Sequence, residues 1–290
     1  MVHASSSDHY YVPHGTNWPI IGSIGLTLLL GGFATKLNGG AIGGFAMLAG
    51  AAVMIYMLYK WFGQVIDENL SGKYNAQVDY SFRLGMGWFI FSEVMFFAAF
   101  FGALFYARIL SVPWLLGVGD GVMTHAVLWS GFADTWPTNG PGDVGGDFTA
   151  MGAWGIPALN TVILLTSGIT VTLAHWALKK SEQQKTVMWL AATVALGALF
   201  VSFQAYEYIH AYQELNLTLG TGIYGSTFYM LTGFHGLHVT LGAIMLLVMT
   251  IRAAKGHFTP DNHFAFEAAA WYWHFVDVVW LGLFIFVYWL

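Results

Sequence analysis

Seven stretches of the chain stay apolar long enough to cross a bilayer, and polar or glycine-rich breaks separate them. They run from about Trp18 to Thr35, Ala41 to Gly63, Phe82 to Tyr106, Ile156 to Leu178, Val187 to Tyr208, Tyr224 to Thr250 and Phe264 to Leu290. Each is close to the ~20 residues that a helix needs to traverse the hydrocarbon layer. Backbone groups in hydrocarbon have no water to bond with, so such segments are expected as helices. The pattern predicts an all-α integral membrane protein with seven transmembrane helices. Lys36-Leu37-Asn38-Gly39-Gly40 reads as a tight turn that folds the first two segments into a hairpin. The Gly40-x-x-x-Gly44 spacing fits either a close backbone approach or a flexible turn.

The connections carry the orientation. Lys60, Lys73, Arg83, Lys179, Lys180, Lys185, Arg252 and Lys255 fall on the side shared by the N-terminus and the second, fourth and sixth connections. Only Lys36 and Arg108 fall on the other. The positive-inside rule then places the N-terminus in the cytoplasm and the C-terminus outside. One long excursion, residues 107–155, lies on the outer side and carries Asp120, Asp134, Asp143, Asp147 and Trp136-Pro137. No internal repeat is visible, which weighs against an inverted-repeat transporter.

Composition agrees with a lipid solvent. Of 290 residues, 57% are hydrophobic and 9% charged, with a mean hydropathy of +0.61, whereas a soluble domain carries roughly 25% charged residues. The net charge of −5 is spread over loops and gives no footprint for nucleic acid. With no cysteine, thiolate metal sites, disulfides and iron–sulfur clusters are excluded. The first seventeen residues are polar and hold no Lys or Arg, unlike a cleavable signal peptide, so the first helix is expected to direct the chain to the membrane.

Ionisable residues inside apolar spans cost on the order of 2.5–3.5 kcal/mol when charged at mid-helix, so each needs a reason. Glu93 lies in the middle of the third segment, Glu207 toward the outer end of the fifth, His235 and His238 in the sixth, His274 and Asp277 in the seventh. The i,i+3 spacing puts His235 with His238, and His274 with Asp277, on common helix faces. This fits a metal or haem site, and equally a buried polar network tying helices together. Glu93 fits a proton relay or a neutral hydrogen-bonding group. Glu93, Glu207 and Asp277 together also fit a self-standing proton or ion transporter. Near the inner interface, Trp61, Glu68, Arg83, Arg252, Lys255 and His257 fit binding of lipid phosphates, or ordinary interfacial snorkelling.

At these same residues the chain resembles subunit III of the aa3-type cytochrome c oxidases. The similar runs are Arg83-Leu84-Gly85-Met86, Ser92-Glu93-Val94-Met95-Phe96-Phe97, Leu159-Asn160-Thr161, Tyr224-Gly225-Ser226-Thr227-Phe228, Thr232 through Val239, and His257-Phe258 to Trp280. They occur in the family's order and cover nearly all of the chain after residue 55.

The resemblance implies a two-helix plus five-helix arrangement with a V-shaped cleft holding phospholipids. The chain would then divide into a cytoplasmic tail 1–17, a two-helix bundle 18–66, a linker 67–81 and a five-helix bundle 82–290 that includes the outer loop 107–155. It also implies a subunit with no haem or copper of its own. Haem a and copper would lie in partner subunits, with subunit I in direct contact, subunit II nearby and cytochrome c as the substrate of the complex. Lipid contacts would fall to Trp61, Glu68, Arg83, Glu93, Arg252, Lys255 and His257. Glu207, His235, His238, His274 and Asp277 would form the buried polar network, with no catalytic residue and no metal ligand. Presence of the first two helices favours the cytochrome c branch over quinol oxidases. The long outer loop points to a bacterial inner membrane. Gly63 and Asp67 stand where mitochondrial members have basic residues, which puts a lipid contact there in doubt.

Overall fold

The structure, a computed structural model, describes residues 10–13, 15–133 and 135–290. Residues 1–9 and 14 of the expected tail, and Asp134 of the long loop, lie outside the described residues. Among those described there is no strand, and seven helices are long and apolar enough to span a membrane. They are α1 (Trp18–Leu37), α2 (Gly43–Leu70), α3 (Ala76–Phe105), α4 (Ile156–Lys179), α5 (Gln183–Glu214), α6 (Gly222–Ala254) and α7 (Phe264–Leu283). The chain is an all-α, multi-pass membrane protein.

Several helices outrun their apolar stretches. α2 continues to Leu70, so the connection to α3 is residues 71–75 instead of the expected linker 67–81. It stops where Gly72 turns to φ +69° and its N–H bonds back to the Asn69 carbonyl. α3 does not end at residue 106 either. It runs through a π-helical turn, Tyr106–Ser111, into Val112–Leu115, so the first part of the expected loop 107–155 is helical. The widened turn lies where the Pro113 ring would otherwise crowd the carbonyl of Ile109. A hydropathy pattern reports only the hydrocarbon slab, whereas backbone bonding continues into the interface until a breaker intervenes.

The described residues form two compact units, one within 1–84 and one within 85–290. In the first, α1 and α2 pack as the expected antiparallel hairpin, but not through the Gly40/Gly44 pair. Gly40 sits over Thr35 inside the turn, and a Cβ on Gly44 would meet nothing within 4 Å. Close approach comes instead from Gly25 and Gly32 on α1 and Gly43 and Gly50 on α2, seven residues apart on each helix. A Cβ on Gly32 would stand 2.6 Å from the Met47 backbone nitrogen, and one on Gly43 or Gly50 would collide with the backbone of Lys36 or Leu29. Small residues let backbones meet where lipid supplies no hydrophobic drive between helices.

In the second unit, α4, α5, α6 and α7 close a four-helix ring in which α4 also meets α7. α7 supplies its centre, with Trp273 and Trp280 fully buried. Both indoles need a partner in this dry interior. Trp273 Nε1 donates to Ser167 Oγ and Trp280 Nε1 to Thr161 Oγ1, each at 2.9 Å, so both tie α7 to α4. Trp273 fits because α5 and α6 offer it glycines. A Cβ on Gly197 or Gly242 would lie 2.7 or 2.8 Å from its ring. α3 joins this unit through a phenylalanine row, in which Phe96 meets Phe234 edge-on at 5.0 Å and Phe101 lies against Gly282.

The long loop is anchored rather than loose. Asn216 Nδ2 donates to the Asp147 carbonyl at 2.8 Å, the Thr149 N–H to the Leu215 carbonyl at 2.9 Å, and Phe148 and Trp136 pack on the Tyr224 ring. These contacts hold the loop over the α5–α6 connection.

Candidate functional site

The membrane-depth ionisable groups of the second unit are tied in pairs. Glu93 Oε2 meets His238 Nε2 at 2.9 Å across α3 and α6. On its other side, His238 Nδ1 donates to the Phe234 carbonyl one turn back, at 2.6 Å. That bond fixes a proton on Nδ1, so Nε2 either accepts from a carboxylic acid or donates to a carboxylate. Both arrangements leave the pair with no net charge, which is how a glutamate is accommodated in the middle of a span. Phe97 packs edge-on against the imidazole at 5.0 Å and Tyr272 stacks beside it at 6.2 Å. The Glu93 side chain keeps 21% exposure, so the pair sits at the edge of the bundle rather than at its centre.

The other expected members of the polar network are placed separately. Glu207, buried on α5, accepts from the Tyr288 hydroxyl at 2.6 Å. His235 Nε2 donates to the Val276 carbonyl at 3.2 Å, joining α6 to α7, and its ring leans on Trp280. His274 Nδ1 lies 3.3 Å from Asp277 Oδ2, and its Nε2 lies 3.3 Å from Thr172 Oγ1. Asp277 is buried directly over Gly168, where any Cβ would overlap its carboxylate. His274, by contrast, is about half exposed. Glu93, Glu207 and Asp277 thus have three different partners and do not bond to one another.

The expected inner-end residues divide between the two units. In the first, Glu68 is buried and receives three donors, from Tyr11 at 3.1 Å, Gln64 at 2.9 Å and Tyr74 at 2.8 Å. Its carboxylate therefore faces protein groups instead of standing bare at the interface. Burial, and then the Glu68 carboxylate it donates to, push the Tyr74 phenol above its ordinary value. Lys73 lies over the Tyr11 ring at 5.6 Å, and Trp18 Nε1 donates to Gln64, so Tyr11 and Trp18 are both held at the end of α2. Trp61 is half exposed and stacks on Phe62, while Arg83 Nε bonds Asp79 at 2.7 Å one turn back.

In the second unit Arg252 is buried with its guanidinium 4.6 Å from the centre of the Phe258 ring. Lys255 is exposed just past the end of α6, and His257, partly buried, donates its backbone N–H to the Arg252 carbonyl. Two cations at one helix end complement the α6 dipole.

One cluster was not expected. His175, near the end of α4, meets His263 and Glu267 at the start of α7. The two Nε2 atoms are 3.2 Å apart, and Glu267 Oε1 lies 3.6 Å from His175 Nε2 and 3.8 Å from His263 Nε2. His263 and Glu267 are four residues apart at a helix start and were legible as neighbours. His175 is 88 residues away from His263, and only the closure of α4 on α7 brings it in.

The family model described as cytochrome c oxidase subunit III matches residues 8–290. A protein named cytochrome c oxidase subunit 3 from Marchantia polymorpha is 40% identical over 286 residues, covering 98% of this chain and 97% of its own length. One of the same name from Latimeria chalumnae is 38% identical over 290 residues, covering 100% and 99%. A third, from Cyprinus carpio, is 37% identical with the same coverage.

Proposed function

The chain belongs to the cytochrome c oxidase subunit III family, and from that premise we propose that it is a non-redox subunit of a proton-pumping oxidase. The full-length family match carries the reading. In it, electrons pass from cytochrome c to dioxygen through haem a and copper held by partner subunits. This chain stabilises subunit I by direct contact, with subunit II in the same complex, and sustains proton uptake there. The complex sits in a bacterial inner membrane, with the N-terminus of this chain cytoplasmic and its C-terminus periplasmic.

The membrane-depth imidazoles support a structural role. Both ring nitrogens of His238 and of His274 have partners within the chain, and His235 is enclosed beneath Trp280. Such rings fit helix ties better than haem ligation: His238 and His274 would each have to give up a bond between helices, and the fully buried His235 ring is walled in by Phe200 and Trp280.

The same proposal gives the chain bound phospholipids. Trp61, Arg83, Lys255 and His257 offer an indole, two cations and an imidazole to phosphate and glycerol oxygens. Arg252 is held by Phe258 so that its charge stays at the helix end, and Glu68 anchors the neighbouring tyrosines. The neutral Glu93–His238 pair presents a hydrogen-bonding edge to lipid without a net charge. Acidic and imidazole groups on the cytoplasmic side would collect protons for the catalytic subunit.

Selective removal of this chain from the purified complex tests the reading. The expected result is slower proton uptake at high pH, a shortened turnover lifetime and loss of tightly bound phospholipid. Unchanged uptake and lifetime in the stripped complex would overturn it.

A further inference from the structure

We propose that His175, His263 and Glu267 form a binding site for a divalent transition cation of the zinc type. Their three facing atoms make a triangle with edges of 3.2, 3.6 and 3.8 Å. A point at its centre lies about 2.1 Å from every corner, which is the bond length of zinc to imidazole nitrogen and carboxylate oxygen. Two imidazoles and one carboxylate are the nitrogen and oxygen donors such ions accept, and a fourth position stays open.

Protonation supports the same use. His263 Nδ1 lies 3.0 Å from the Thr259 carbonyl, which can only accept, so Nδ1 carries the hydrogen. In the neutral ring Nε2 then presents its lone pair to His175 and Glu267. This is the outer hydrogen bond that orients metal-ligating histidines. The triad is shielded, with side-chain exposures of 21% for His175, 8% for His263 and 15% for Glu267, and Phe266 packs edge-on against the His175 ring. Lys179, one turn beyond His175, opposes a cation there, but it is exposed and its charge is screened. A bound ion would staple the end of α4 to the first turn of α7.

The site does not depend on the oxidase reading, because its readout is metal held by this chain rather than turnover. Full-length chain, freed of metal by chelation, is dialysed against Zn²⁺ and separately titrated with Co²⁺. Expected are one Zn²⁺ per chain and the visible absorption of four-coordinate Co²⁺. His175→Ala or Glu267→Gln should weaken binding at least tenfold, while His210→Ala, at the separate His210–Glu214 pair on α5, should leave it unchanged. Glu267→Gln keeps shape and hydrogen-bonding capacity, so it decides the matter if His175→Ala does not fold. No saturable binding by the unaltered chain, or binding indifferent to Glu267→Gln, overturns the proposal.

Discussion

Gly50→Ala separates the two accounts of how α1 and α2 are held together. A Cβ at Gly50 would overlap the Leu29 backbone and lie 2.8 Å from the Gly25 carbonyl oxygen, where ordinary contact begins at 3.4 Å. Backbone cannot swing aside as a side-chain end can, so α1 must retreat by about 0.6 Å or more. A gap of that order forfeits a quarter to a half of each dispersion contact along the seam, and overpacking of this kind costs ~1–3 kcal/mol. Helix propensity drops out, because separated helices in lipid remain helical. The hairpin equilibrium should therefore shift by roughly 5- to 150-fold.

The chain contains no cysteine, so a single engineered pair at the exposed positions Leu30 and Phe45 can carry a donor and an acceptor dye. Loss of energy transfer during detergent denaturation then reports separation of α1 from α2. Gly50→Ala should separate at lower denaturant than the parent, and Gly44→Ala, whose Cβ would face open space, should match the parent. Coincident curves for the two variants would refute a seam built on Gly25, Gly32, Gly43 and Gly50.

Further outcomes follow from the buried polar groups. Glu207→Ala leaves the Tyr288 hydroxyl without its acceptor and should destabilise the second unit by ~1–3 kcal/mol, whereas Glu207→Gln keeps an acceptor and should cost less; equal losses in denaturant midpoints would contradict the bond. Phe258→Leu removes the face beneath Arg252, and a loss of ~0.5–2 kcal/mol is expected in the same assay. Because the folded-state value of Tyr74 is raised, its protonated form contributes stability fully below ~10, the free-tyrosine value, and loses it as pH climbs through the higher folded value. The phenolate absorbance step missing from Tyr74→Phe should consequently fall above pH ~10; a step at or below that pH would contradict the shift.

The number and kind of spans were legible from the amino-acid sequence because lipid leaves so few choices. A run near twenty apolar residues in hydrocarbon must satisfy its own backbone, and a helix does so within one segment. All seven predicted spans are present for that reason. Their ends were less legible, because polar residues such as Gln64, Glu68 and Arg108 continue a helix in the interface while lowering its hydropathy. Gly72 marks one stop, and Pro113 widens a turn without ending α3.

Partnership across the chain was decided by tertiary structure. Glu93 and His238 are 145 residues apart, and spacing along one helix groups His238 with His235 instead, although their nitrogens serve different neighbours. The Gly40/Gly44 spacing was visible, yet only the facing surfaces of α1 and α2 show that Gly43 and Gly50 make the approach. Likewise the His175 triad needs α4 and α7 side by side. Local pattern specifies which residues share a face of one helix. Which face meets which is set by how whole helices pack, and that depends on the volumes of many side chains at once, as where Gly197 and Gly242 leave room for Trp273.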